Sequence, residues 1–173
     1  MQFIGLLLLS FIIFKAPSER DIILEKAKKL PHFTNINMDP SLSKTIKLLL
    51  EGDGKKVIGA PGKADIALNG VAIQDPHGYV TVAGTKCTIE AVGSAKILRN
   101  GRQVTTPVEI AHLDRFLFGT SQYYIFVDPT KATPKDTNYT FEMLQDEIAT
   151  TSGIARTSTQ NWSPEEIKAQ QGF

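Results

Sequence analysis

Residues 79–92 read YVTVAGTKCTIEAV, and apolar and polar residues alternate on both sides of a short glycine-containing turn. Val80 and Val82 fall on one side of the first run, and Cys87 and Ile89 fall on one side of the second. A period of two is typical of a strand with one buried face. The stretch therefore predicts two half-buried strands.

Short apolar runs separated by turn residues extend on both sides of this stretch, over residues 31–130. Further strand candidates, rich in branched and aromatic residues, are TIKLLLE (45–51), KVIG (56–59), DIAL (65–68), RFLF (115–118) and YYIFV (123–127). Glycine-bearing turns lie between them, and no helical pattern of 10–15 residues separates them. The pattern favours an all-β sandwich or barrel over a parallel sheet with crossover helices.

A short helix is predicted before the strands, over residues 16–30. Ser18 can cap it, and we place Arg20 at the position where a capping-box glutamate would stand. Lysines cluster near its end, where cations interact favourably with the helix dipole. The helix should end before Pro31.

The chain turns polar after the strands, and residues 131–173 are predicted to hold a linker and C-terminal helices. Phe141, Leu144 and Ile148 share one helical face in the first of these helices. Ser163 and Pro164 form a good start for a second helix.

The first fifteen residues form an apolar leader whose role the sequence leaves open. Residues 3–14, FIGLLLLSFIIF, have the length of a signal-peptide core and are shorter than a membrane-spanning helix. No lysine or arginine precedes them, and a proline follows at position 17. The single cysteine favours a cytoplasmic chain. The alternative is a secretory or membrane-anchored chain, tethered through residues 3–14.

The composition excludes several classes of function. The 173 residues carry 19 Lys+Arg and 18 Asp+Glu, and a net charge of +1 does not fit a nucleic-acid binder that works through charge. One cysteine and three separated histidines provide no metal-site spacing. Neither a GxxxxGK[ST] phosphate loop nor a GxSxG nucleophile motif is present. We therefore expect no catalytic residues, no cofactor and no bound metal.

The turn motifs, taken in order, resemble those of the forkhead-associated (FHA) domain. They are VIG (57–59), DI-x-L-x-G (65–70), I-x-x-x-H (73–77), L-x-NG (98–101) and LFG (117–119). Residues 31–40 carry PH-x-x-N-x-N-x-DP, which resembles the first strands of the FHA domain in the third kinesin family, the vesicle-transport motors. YTFEMLQDEI (139–148) is similar to the helix that follows this domain in those motors.

This resemblance implies a β-sandwich of about eleven strands, with short flanking helices, that recognises phosphothreonine peptides through its loops. The loop residues that it assigns to peptide binding are Gly59, Ala60, Lys63, Gln74, Asn100, Gly101 and Arg102. His77 matches a buried residue that braces these loops. Asn100 is either a ligand-binding residue or only a turn former. We expect Gly59, His77 and Asn100 to lie around one end of the sandwich.

Two positions depart from the FHA pattern. The arginine that grips the phosphate usually follows the glycine of the third strand, and Ala60 stands there; Gln74 replaces the usual serine. A charged hydrogen bond contributes roughly 1.5–3 kcal/mol, so losing the arginine lowers affinity for phosphate by about tenfold or more. Lys63, Arg99 and Arg102 are the candidates to replace it.

Two functions follow as alternatives. The first is a non-catalytic, kinesin-like interaction module that binds a protein or phosphopeptide. The second is a structural domain that packs against a coiled coil, a kinesin motor or a second copy, to regulate dimerisation or autoinhibition. Both imply a cytoplasmic, cytoskeleton-associated chain with no nucleic-acid partner.

Overall fold

A computed structural model describes residues 16–135 and 137–153. Two sheets pack face to face, which confirms the predicted all-β sandwich with short flanking helices. The apolar leader, the helix start at Ser163 and the end of the C-terminal region lie outside the described residues.

The strands, in chain order, are β1 (His32–Ile36), β2 (Lys47–Leu49), β3 (Gly54–Gly59), β4 (Ile66–Ala67), β5 (Gly78–Ala83), β6 (Lys86–Ala91), β7 (Ile97–Arg99), β8 (Arg102–Gln103), β9 (Val108–Glu109), β10 (Arg115–Phe118) and β11 (Gln122–Val127). The six-stranded sheet has the order β2-β1-β11-β10-β7-β8, and the five-stranded sheet has the order β4-β3-β5-β6-β9. The pairs are antiparallel except β3 with β4. The two predicted strands at residues 79–92 are β5 and β6, which pair with each other.

A cluster of phenylalanines fills the space between the sheets. The Phe33 ring meets the rings of Phe116 and Phe118 edge to face, with centroids 5.4 and 5.7 Å apart. All three side chains are buried. Edge-to-face aromatic pairs stabilise a core beyond their buried area, by about 0.5–1.5 kcal/mol each.

The outer face of the six-stranded sheet is also buried, because helix α2 (Phe141–Thr151) covers it. Leu117, between the two inward phenylalanines, points to this outer face and packs with Leu144 of α2. An ion pair joins Arg115 on β10 to Glu147 on α2. Thr140 caps the helix through the Met143 amide.

Helix α1 (Glu19–Ala27) precedes the sandwich, and its first turn differs from the prediction at the capping box. Ser18 caps it as predicted, but the residue that completes the capping box is Asp21, three positions on, and not Arg20. The Ser18 amide donates to the Asp21 carboxylate, and the Asp21 amide donates to the Ser18 hydroxyl. Hydrogen bonds that the Ser18 hydroxyl and the Ser18 amide donate to the Asp21 carboxylate lower the pKa of this carboxyl.

Candidate functional site

Four loop segments meet at one end of the sandwich, which we name the apical end. They are residues 60–65, 68–77, 92–96 and 119–121. Strand pairing brings the first three together, because Ile58 lies opposite Gly78 and Gly78 lies opposite Ala91. The Gly119 amide donates to the Lys96 carbonyl, with N···O 2.8 Å, and adds the fourth.

His77 connects three parts of the apical end. Its side chain is fully buried, and its backbone amide donates to the Ile58 carbonyl at 2.7 Å. Ring atom Nδ1 accepts the Gln74 amide at 3.1 Å, so Nε2 carries the proton and donates to the Lys96 carbonyl at 3.0 Å. Burial lowers the pKa of His77, which favours this neutral form. This geometry fits the bracing role that the resemblance implies for His77.

Gly59 lies at the centre of the apical end, where space is tight. A Cβ atom at this position would stand 2.9 Å from Asp75 Oδ1. The other oxygen of this carboxylate, Oδ2, lies 3.4 Å from Lys63 Nζ. The structure therefore brings Gly59, Lys63, Gln74 and His77 together, with Ala60 next to Gly59 along the chain.

Exposed polar side chains and the exposed Val71 form the surface of the apical end. Gln74 Nε2 lies 3.5 Å from the hydroxyl oxygen of Ser94, which joins the second and third loops. Lys63 and Lys96 are the lysines of the four segments, and none of these segments contains an arginine. Asp75 partly neutralises Lys63, whereas Lys96 forms no ion pair within residues 16–135 and 137–153. An anion here would therefore meet one ammonium group that is paired with a carboxylate and one that is not paired within these residues.

Asn100 and Gly101 do not lie with this cluster, and the expectation that Asn100 shares one end with Gly59 and His77 is wrong. Lys96 is beside His77, whereas Asn100 is four residues further along β7, about 13 Å at the rise of a strand. Asn100 therefore lies at the opposite, basal end, which also contains the start of β10 and the start of β1. Arg102 follows on β8 and does not reach the apical loops either.

The Asn100 side chain is occupied inside the protein. Its Nδ2 donates to Asp114 Oδ1 at 2.7 Å, and its Oδ1 accepts the Arg115 amide at 2.8 Å. Both turn residues have positive φ, 50° at Asn100 and 78° at Gly101. Asn-Gly is the sequence that such a two-residue hairpin turn prefers. Of the two roles left open for Asn100, the geometry favours the turn former.

Three further apical residues, Asp75, Ser94 and Lys96, were not predicted from the sequence. Their only local signal was the VGS turn at residues 92–94, which marks a loop but not its place in the sandwich. That place follows from the pairing of β5 with β6, which puts Val92 beside His77.

Three other kinds of site, a metal centre, a cysteine nucleophile and a membrane-spanning helix, find no support in residues 16–135 and 137–153. They hold no cluster of three or more histidine, cysteine, aspartate or glutamate side chains suited to a metal ion. Cys87 is buried, and burial raises its thiol pKa to about 11, so it is not a nucleophile at neutral pH. Within the same residues, no helix has the length and apolar character required to span a bilayer.

This chain is similar to known proteins both in structure and in sequence. No protein-family model matches the sequence. The yeast Dun1 FHA domain, solved with a doubly phosphorylated peptide derived from Rad53, superposes with a TM-score of 0.50 and 16% identity, covering 73% of this chain and 90% of that one. Kinesin-like protein KIF28 of Mus musculus is 28% identical over 128 residues, and Kinesin-like protein KIF14 of Homo sapiens is 31% identical over 113 residues. The chain has the fold of an FHA domain, and its sequence is similar to kinesin-like proteins. The alignments cover 73% and 64% of this chain.

The similarity covers a small part of each relative. The matched segment is 12% of the mouse protein and 7% of the human one. In this chain the apical surface is formed by Ala60, Lys63, Gln74, Ser94 and Lys96 around the buried His77.

Proposed function

We propose that this FHA domain is a non-catalytic protein-interaction module that binds a peptide segment of a partner protein at its apical end. The observation that carries the proposal is the bracing of the loops by His77, whose two ring nitrogens hold the backbone at Gln74 and Lys96. Loops fixed on a rigid scaffold bind with a smaller loss of conformational entropy. We take residues 31–130 as the binding domain, and residues 16–30 and 131–173 as its flanks.

Phosphothreonine is the ligand implied by the FHA resemblance, and the apical charges set how well it would bind. Ala60 supplies no guanidinium where the family has one. Lys63 is a point charge already paired with Asp75, and it does not provide the two-pronged geometry of arginine. Phosphate recognition here rests on Lys63, Lys96 and the hydroxyl of Ser94. We therefore expect binding about tenfold or more weaker than with an arginine at position 60.

Paired peptides test the proposal. Immobilised peptides that differ only in threonine or phosphothreonine are probed with the whole chain, and hits are measured by fluorescence anisotropy. We expect a preference for phosphothreonine that Lys63→Gln weakens and Ala60→Arg strengthens about tenfold. Lys29→Gln is the matched control, because this exposed lysine follows α1 and lies outside the apical loops.

The outcomes separate the two parts of the proposal. Equal binding of threonine and phosphothreonine peptides, still reduced by Lys63→Gln, removes the phosphate and keeps the peptide site. Binding that neither apical substitution changes overturns the apical site itself.

Helix α1 favours the second function, a domain that packs against a coiled coil, a kinesin motor or a second copy. Ile22 and Leu24 are 44% and 39% exposed, and Ala27 is the one residue of this helix that is buried. Sedimentation of the whole chain tests packing of two copies. A dimer that Ile22→Ser with Leu24→Ser dissociates supports this function, and a monomer at high concentration opposes self-association.

The similarity to kinesin-like proteins also supports a cellular context, which we propose as cytoplasmic and cytoskeleton-associated. Co-sedimentation with microtubules in cell extract, with and without residues 1–15, tests this location against the membrane-anchored alternative. Recovery with membranes that depends on residues 1–15 would contradict the cytoplasmic assignment.

A further inference from the structure

A basic cavity of about 500 Å³ lies beside the β7–β8 hairpin, away from the apical loops. Two arginines, Arg99 and Arg102, and two threonines, Thr105 and Thr106, contribute most of its polar lining. No aspartate or glutamate is among the described residues that line it. The cavity is therefore electropositive although the chain as a whole is nearly neutral.

Arg99 is held in place by a buried carboxylate. Its Nε donates to Asp114 Oδ2 at 2.6 Å, and Asp114 is only 5% exposed. The same carboxylate accepts bonds from Asn100 Nδ2 and from the Ala111 amide. The Asp114 carboxylate thus accepts three hydrogen bonds from within the domain. The guanidinium is fixed at its Nε edge, and its two terminal nitrogens have no hydrogen-bond partner among the residues that the structure describes.

Arg102 complements Arg99 from the next strand. It lies opposite Arg99 in the β7–β8 pair, its side chain is exposed, and within the described ranges it forms no ion pair. Two guanidinium groups on paired strands can bind a carboxylate or a phosphate from two directions. An arginine fixed by a buried acid loses less side-chain entropy on binding an anion.

The neighbouring backbone offers a place for the chain that carries the anion. Strand β8 is the edge of the six-stranded sheet, and both of its residues are exposed. An open edge presents unpaired amide and carbonyl groups, to which an extended peptide can add. Val104 is buried beneath the hairpin and fixes the start of the segment that bears Thr105 and Thr106.

We propose that this cavity binds an acidic side chain, carboxylate or phosphate, of an extended peptide from a partner protein. Arg99 and Arg102 bind the oxyanion, and the threonine hydroxyls donate further hydrogen bonds to it. The site does not depend on the apical loops, because it lies at the other end of β7.

Three peptides that differ only at two central positions test the proposal: a glycine-serine peptide with two glutamates, the same peptide with two phosphoserines, and the same peptide with two serines. The amide spectrum of the whole ¹⁵N-labelled chain is followed by NMR. We expect the two anionic peptides, but not the serine peptide, to shift the signals of residues 99–108. Comparison of the two anionic peptides shows which oxyanion is preferred.

Arg102→Gln should weaken binding of the anionic peptides about tenfold, the loss of one charge-assisted contact. It should leave the spectrum elsewhere unchanged, because this side chain is exposed. Arg20→Gln, the same charge change on exposed α1, is the matched control and should not alter binding. Equal binding of the serine peptide, full affinity in Arg102→Gln, or shifts confined to the apical loops would overturn the proposal.

Discussion

Replacement of His77 tests whether this residue holds the apical loops together. The change His77→Ala removes a fully buried ring, the acceptor for the Gln74 amide and the donor to the Lys96 carbonyl. The Gln74 amide, left without this acceptor, costs about 1–3 kcal/mol, less where water can enter. The Lys96 carbonyl keeps the bond from the Gly119 amide, and the cavity adds to the cost. We expect the free energy of unfolding to fall by about 2–4 kcal/mol.

Two further variants sharpen this test. His77→Gln leaves a smaller cavity and keeps a side chain that has both a donor and an acceptor, so we expect it to lose about half as much. His112 is the matched control, because its ring also binds two partners, the Asp128 amide and the Thr133 hydroxyl, each at 3.0 Å. It is only half-buried, so water can replace these bonds, and His112→Ala should cost about 1 kcal/mol or less.

Urea unfolding followed by circular dichroism measures all three variants, and NMR reports the Gln74 and Gly119 amides. We expect the largest loss of stability for His77→Ala, a smaller loss for His77→Gln and the smallest for His112→Ala. If His77→Ala costs no more than His112→Ala, or if the two amide signals stay in place, His77 does not brace these loops.

Three more measurements follow from the structure. Gly101→Ala should lower stability by about 1–3 kcal/mol and reduce helical dichroism, because φ is +78° and the new Cβ would stand 2.6 Å from the Thr151 hydroxyl in the last turn of α2. Gly93→Ala, where φ is +57° and the space is open, is the control for backbone strain alone. Equal losses in the two variants would contradict the contact with α2. Cys87 should resist a thiol reagent at pH 8 until urea unfolds the chain, since burial raises its pKa to about 11; rapid reaction of the folded chain would show that it is accessible. Burial lowers the pKa of His32 and of His77, so as pH falls these histidines are protonated in the unfolded state before they are protonated in the folded state. The melting temperature should therefore fall as pH drops below the ordinary histidine pKa of 6.5. A melting temperature that stays constant from pH 8 to pH 5 would refute this.

The fold followed from the sequence where strands were long enough to show alternation. In β5, Val80 and Val82 are buried between more exposed neighbours, and in β6 Cys87 and Ile89 are buried in the same way. Strands β8 and β9 have two residues each, too few to show any period. The run RFLF in β10 has no alternation because α2 covers its outer face.

The candidate site was predicted in part, because local patterns do not report which end of a sandwich a turn occupies. The Asn100–Gly101 turn was recognised from its conformational preference, which is a local property. Its assignment to the peptide site required the direction of β7, which depends on pairing with β10 across the sheet. The prediction for Arg20 was wrong for a simpler reason: Asp21, and not Arg20, is the third residue after the Ser18 cap, where a capping-box acid stands.

The route of the chain through the sandwich affects access to the apical loops. The polypeptide enters the first strand at His32, opposite Val127, and α2 ends beside Gly101. The start of the first strand and the end of α2 both lie at the basal end, so the rest of the chain attaches to one pole of the domain and the other pole stays free. Neighbouring segments of a longer protein can be lengthened, or joined to bulky assemblies, without obstructing a ligand that approaches from the free pole.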